Sequence, residues 1–177
     1  MKKALPQPKV KLKIINNIFT ILVVVLVFLL YGFQLFNLKP YSVLSGSMES
    51  VYPTGSLIYV KKVDPAKLKE QDIITFKIKG GVITTHRIIE LVSDKDDPDT
   101  IKFRTKGDEN EIADGGLVSF DEVIGKPAFC IPLLGYLATF ISQPVGRIVA
   151  IVAVISLLLI EIILGTLLEG TKPEVNE

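Results

Sequence analysis

From Ile14 to Leu38 the chain carries no charged residue, and this run limits the possible folds more than any other feature. Its centre, Thr20 to Leu30, is apolar on every side. About 20 such residues cross a bilayer core. A buried helix of a soluble protein would show a polar face, and this stretch has none. Five lysines, Lys2, Lys3, Lys9, Lys11 and Lys13, precede it with no acid among them, and a mixed-charge region follows. That asymmetry places residues 1–13 in the cytoplasm as a basic tail. A cleavable signal peptide has a shorter apolar core with small residues after it. Here Phe36-Asn37-Leu38 follow, so residues 14–38 are expected to remain as an anchor, with Tyr31 and Lys39 at its outer interface.

A second apolar stretch, residues 148–168, holds one charge, Glu161. An acid inside a span normally signals function, but Glu161 stands within about two turns of the end and reaches the interface. The stretch lacks the strongly polar face of an interfacial helix. It is read as a second span that returns a polar, disordered tail, residues 169–177, to the cytoplasm. Arg147 then lies on the outer side, against the usual charge bias. Residues 132–147 open with an apolar, aromatic and uncharged stretch, 132–143, and are expected to lie along the membrane surface.

Between the spans, residues 39–131 are the only region of soluble character, and they pattern as β. Short β-branched and aromatic runs occur at 56–60, 72–79, 82–89, 101–105 and 122–126. Gly80-Gly81 between the second and third is a hairpin signal. Asp94 to Asp99 form an acidic, proline-containing turn, and Asp64 to Leu68 a helical turn. The expected fold class is mainly β: a small antiparallel sheet or barrel, anchored by an N-terminal and a C-terminal transmembrane helix.

A length of 177 residues suits one domain with attachments. The net charge of +1 offers no broad basic surface for nucleic acid. A single cysteine, Cys130, excludes an intrachain disulfide without fixing the compartment. No Cys/His cluster implies a metal, no glycine-rich loop implies a phosphate ligand, and no cofactor is expected.

Three short elements carry chemistry. Ser45-Gly46-Ser47-Met48 follows the anchor closely. Glycine permits a tight backbone path that holds a serine out of the chain, and nearby N–H groups can face a developing oxyanion. As composition alone it is a polar loop. His86, the one histidine, sits in a β run. A lone histidine is usually a surface or core residue, but an imidazole that titrates near ~6.5 can also take a proton from serine and return it to a leaving amine. Thr105 to Gly116 is a polar loop in which Asp108 or Asp114 could hold that imidazole in one tautomer. Chemistry alone leaves the choice between them open.

Together these elements resemble the type I signal peptidases, in the branch with a Ser–His pair found in the endoplasmic reticulum, archaea and some Gram-positive bacteria. Ser45-Gly46-Ser47-Met48 is similar to the nucleophile box, Thr85-His86-Arg87-Ile88 to the box that carries the base, and Lys106-Gly107-Asp108-Glu109-Asn110 with Asp114 to the acidic box. The resemblance covers residues 41–126 and the anchor. It implies Ser47 as nucleophile, His86 as base, Asp114 as the residue that orients it, Asp108 as support, and Ser45 as an oxyanion-hole hydroxyl. It implies a serine endopeptidase that removes signal peptides from exported preproteins after small residues, outside the membrane. Its partners would be those preproteins, the lipid bilayer and, as in the endoplasmic reticulum, further subunits of a membrane complex. Some positions depart from the pattern: Ser50 follows Glu49 where proline is frequent, and Ser56 follows Gly55 where an acid is common. The alternative is a non-catalytic anchored β-domain that binds or escorts exported chains. Such a module has no need of Ser47, His86 and Asp114 together.

Overall fold

The computed structural model describes residues 8–78, 80–93 and 101–169. The first part of the basic tail (1–7), the acidic turn at 94–99 and the end of the C-terminal tail (170–177) lie outside the described residues. The remainder forms two compact units, one holding the long apolar helices and the other spanning Tyr31–Thr139.

In the helical unit, α1 covers Pro8–Tyr31 and α3 covers Pro144–Glu169. Proline at the first position of α3 suits a helix start, where its missing N–H would be unpaired anyway. The segments Asn17–Phe36 and Pro144–Ile163 are long and apolar enough to cross a membrane. Ile21, Val24, Ile148 and Ile151 leave more than half their surface open, and a continuous apolar surface of this kind calls for lipid or another apolar partner. Glu161, expected at an interface, has a protein partner: Thr20 Oγ1 donates to its Oε1 at 2.9 Å.

The apolar run predicted as one helix to Leu38 breaks earlier. Helix α1 ends at Tyr31, a 3₁₀ turn follows over Gly32–Phe36, and Asn37 takes a left-handed conformation with φ 58°. The reason is aromatic packing. Phe33 stands edge-on to Tyr59 and Phe129, centroids 4.9 and 5.2 Å apart, and those two rings stack at 4.7 Å. Such contacts are favourable beyond the area they bury. Leu38 therefore opens a strand rather than closing a helix.

The second unit is a curled antiparallel sheet of seven strands in the order β1-β2-β7-β3-β4-β5-β6. These are β1 Leu38–Ser42, β2 Leu57–Lys61, β3 Ile73–Lys77, β4 Ile83–Ser93, β5 Ile101–Lys106, β6 Leu117–Val118 and β7 Val123–Ile131. Strands β1 and β6 have no counterpart in the sequence reading. Pro40 lacks a donor for the ladder, and β1 accordingly sits at a sheet edge. Strand β6 is two residues long and exists through its pairing with Phe103 and Arg104. Gly80 and Gly81, at φ 91° and 86°, turn the chain from β3 to β4. A core of Leu68, Ile74, Phe76, Ile88, Phe103 and Val118 closes beneath β3, β4 and β5. The helical turn expected near Asp64 is a 3₁₀ turn, Pro65–Lys67, capped by the Asp64 carboxylate. Within the stretch expected on the membrane surface, Leu134–Ser142 is helix α2.

The start of β2 yields a stability prediction. Gly55 has φ +83°, and a Cβ there would stand 1.9 Å from the Tyr136 ring. Gly55→Ala should cost about 3 kcal/mol or more, through left-handed strain and a clash together. The next residue behaves oppositely. Ser56 is fully buried, and its hydroxyl has no partner among the described residues. An unsatisfied buried hydroxyl is costly, so Ser56→Ala should be neutral or stabilising by about 1 kcal/mol. Denaturant melts of both variants check this; equal losses would refute it.

Candidate active site

Ser47 lies in a 3₁₀ turn, Gly46–Met48, that leaves the extended Ser45. Met48, 2 % exposed, pins the turn to the core, and its carbonyl accepts the N–H groups of Val51 and Tyr52. The Glu49 carboxylate accepts the Thr54 hydroxyl at 2.6 Å and the Thr54 N–H at 2.9 Å. These bonds hold it below the usual carboxylate range, and they close the loop behind the Ser47 turn.

His86 is in β4, opposite Ile74 of β3. It shares a face with core residue Ile88, and the Phe76 ring stands beside it at 6.3 Å. Packing thus fixes the imidazole, which is 7 % exposed. Its Nδ1 lies 2.7 Å from Asp114 Oδ2 and its Nε2 3.0 Å from Ser47 Oγ. A carboxylate can only accept, so Nδ1 carries the proton and Nε2 is left to accept from the Ser47 hydroxyl. The three side chains therefore form one directed chain of hydrogen bonds, from the hydroxyl to the carboxylate.

Asp108 is elsewhere. It faces Arg87, whose Nε donates to Oδ1 at 2.8 Å and Nη2 to Oδ2 at 2.6 Å, a bidentate pair. That bond to Arg87 holds the Asp108 carboxyl below its ordinary range, against a rise from burial. Arg87 also donates from Nη1 to the Gln71 carbonyl. The Asp108 N–H points at Met48 Sδ, 3.3 Å away, and the next residue's N–H bonds the Ser47 carbonyl at 3.0 Å. The acidic loop thus braces the Ser47 turn against the strand that carries His86. Gly107 makes this approach possible, since a Cβ there would lie 2.7 Å from the Ser47 carbonyl oxygen.

Ser45 Oγ is 3.5 Å from Ser47 Oγ, on the same groove. This groove, about 670 Å³, runs between residues 41–45 and 81–86, with Met48, Tyr52 and Ile58 among its lining. Burial pushes the Tyr52 hydroxyl up, so it stays protonated. Among the described residues, β4 has β3 on one side along 83–86, and β5 joins its other side only from Arg87 onward. The strand edge beside His86 is consequently open to an extended chain.

The structure brings Ser47, His86 and Asp114 into hydrogen-bond contact, leaves Ser45 adjacent and puts Asp108 on Arg87. Sequence reasoning missed Arg87 and Thr105, whose hydroxyl also reaches Asp114. Arg87 was legible as the neighbour of His86, but Thr105 gave no chemical signal.

Residues 14–108 match the family model described as signal peptidase, peptidase S26. The chain belongs to that family. Ser47, His86 and Asp108 fall inside the matched region, and Asp114 lies just beyond it. Signal peptidase I W of Bacillus subtilis (strain 168) is 45% identical over 83 residues, 46% of this chain and 42% of the relative. The signal peptidase complex catalytic subunit SEC11C of Homo sapiens is 34% identical over 109 residues, 57% of this chain and 56% of the relative. The corresponding subunit sec11 of Dictyostelium discoideum is 35% identical over 101 residues, 52% and 55% of the two chains. The chain spans about half the length of the curated relatives it matches. The signal peptidase family thus has bacterial and eukaryotic members similar to this chain.

Proposed function

We propose that this chain is a membrane-bound serine endopeptidase that removes N-terminal signal peptides from exported preproteins, cleaving after small residues. One observation carries the reading: in a chain of the signal peptidase family, Ser47 Oγ is 3.0 Å from His86 Nε2, whose ring is held by Asp114 at 2.7 Å. Ser47 Oγ attacks the scissile carbonyl while His86 Nε2 takes its proton. Ser45 Oγ supports the oxyanion that forms. The tetrahedral species collapses to an ester on Ser47, and the Nε2 proton leaves with the new amine. Water then repeats the sequence on the ester and frees Ser47. Asp114 keeps the tautomer and balances the imidazolium, and Asp108 supports the site through its brace.

The open edge of β4 suits a substrate that lies extended and pairs its main chain with 83–86. The two apolar helices anchor the chain with its N-terminus in the cytoplasm and the β unit outside. A substrate held by its own apolar segment in the same bilayer meets the enzyme at a raised effective concentration. Residues 132–140 seat the β unit on lipid. By analogy with relatives named as subunits of a complex, further membrane subunits are candidate partners.

The test is cleavage of a model preprotein by the full chain in bilayers, with the new N-terminus of the product sequenced. A cut after a small residue at the signal boundary is expected. No cut by the folded chain, with or without a membrane extract of its host, would overturn the proposal in favour of a binding module.

A further inference from the structure

Asp114 is fixed by two bonds to a single residue that the reaction itself never touches. Thr105, on β5 opposite Ile88 of β4, is fully buried. Its carbonyl accepts the Asp114 N–H at 2.9 Å. Its hydroxyl donates to Asp114 Oδ2 at 2.6 Å, the same oxygen that receives the His86 Nδ1 proton. A carboxylate has no hydrogen to give, so the direction of the hydroxyl bond is settled. We propose that Thr105 is a positioning residue for this site: it sets the plane of the Asp114 carboxylate and limits how much of its charge reaches the His86 imidazole. The proposal deepens the peptidase reading and rests on it for its catalytic consequence.

Two effects follow from one hydroxyl. The first is geometric. A carboxylate turns easily about its last bond, and donors converging on Oδ2 from two strands hold that oxygen toward Nδ1. The second is electrostatic. An oxygen that already accepts a hydroxyl proton presents less negative charge to an imidazolium. Remove the hydroxyl, and the charged ring gains stability, so its titration moves to higher pH. The other groups facing the ring are the same with or without that hydroxyl. Asp108, on the loop that follows β5, is neutralised by Arg87 of β4. Glu122, before β7, lines the cavity behind the imidazole and accepts the Ser119 N–H. Tyr52, after the nucleophile turn, lines the groove in front.

Packing and hydrogen bonding are separable at this position. Thr105→Val keeps the shape and removes the hydroxyl; Thr105→Ser keeps the hydroxyl and removes a methyl. The experiment uses the full chain in bilayers or detergent and reads two quantities. One is the pH dependence of kcat and KM on a model preprotein. The other is the NMR titration of the imidazole, which needs no assignment because the chain has one histidine. Thr105→Val should lower kcat about 10- to 100-fold, the size of one hydrogen bond to a charged group, with KM within about threefold. It should also move the imidazole midpoint and the acid limb of kcat/KM upward. Thr105→Ser should stay within about threefold with an unmoved midpoint. If the valine variant does not fold, Thr105→Cys, which offers a weak donor, gives the same comparison: a raised midpoint supports the role and an unmoved one refutes it. A valine variant with an unmoved midpoint, or a serine variant as impaired as the valine one, overturns the proposal. The NMR midpoint is read without turnover. A chain that cleaves nothing yet shows the shift loses the peptidase reading and keeps the positioning role, while an active chain without the shift does the reverse.

Discussion

Ser47→Ala should lower preprotein cleavage by at least about 10⁴-fold while leaving the fold and substrate binding intact. The loss is large because the variant has no atom in place of Oγ to accept the acyl group, and an unaided water is a poor substitute at that position. The fold should survive because the residue that anchors the turn is its neighbour Met48, 2 % exposed. Substrate affinity should survive because the groove is built by 41–45 and 81–86. Single-turnover cleavage, a thermal melt and crosslinking of bound preprotein read the three quantities separately. Retention of more than about a hundredth of the activity would mean that the nucleophile is another group. Ser45, whose hydroxyl is 3.5 Å away, would then be the first alternative to remove.

Asp114→Asn should be nearly as severe, about 10⁴-fold, and Asp108→Asn much milder. The asparagine at 114 can turn its NH₂ toward Nδ1. That forces the ring proton onto Nε2, which then has no lone pair for the Ser47 hydroxyl. The variant also loses the charge that balances the imidazolium. Asp108 touches neither atom; its replacement loosens the brace to Arg87 and should cost about tenfold. Measured kcat/KM values for the two variants decide this, and the reverse order would exchange the roles assigned to the two acids. Stability offers a second reading of Asp108. Its folded carboxyl lies below the ordinary value, so its contribution is present above the unfolded value of ~3.9 and fades as pH falls through the lower folded value. Asp108→Asn should therefore be less stable than the parent at pH 7, with the gap closing in acid. A gap that persists unchanged at low pH would show that the ion pair contributes nothing.

What was legible beforehand divides by physical cause. Ser47 and His86 could be singled out because each stands in a short stretch whose residue types have few other uses beside an anchor. The two acids could not be separated, because a spacing of six positions says nothing about which carboxylate a neighbouring guanidinium captures. Arg87 holds Asp108 with two bonds and leaves Asp114 for the imidazole. The strands with β-branched runs and glycine turns were visible; β1 was not. Lys39-Pro40 has the composition of a linker, and it becomes a strand only because β2 supplies a ladder. The end of α1 was hidden for a related reason. Apolar character continues from Ile14 through Leu38, but Phe33 finds its partners in Tyr59 and Phe129, residues far along the chain.

The hydrogen bond between Thr20 and Glu161 joins residues 141 positions apart, and this sets an order of events during synthesis. Thr20 leaves the ribosome early, and its hydroxyl can shelter on a carbonyl of its own helix until a better acceptor arrives. Glu161 has no such refuge, because a carboxyl in apolar surroundings needs a donor. Helix α3 can therefore settle cheaply only where α1 already waits. The helix made earlier thus serves as the receptor for the one made later, and a chain that stalls between them has no donor-bound seat for Glu161.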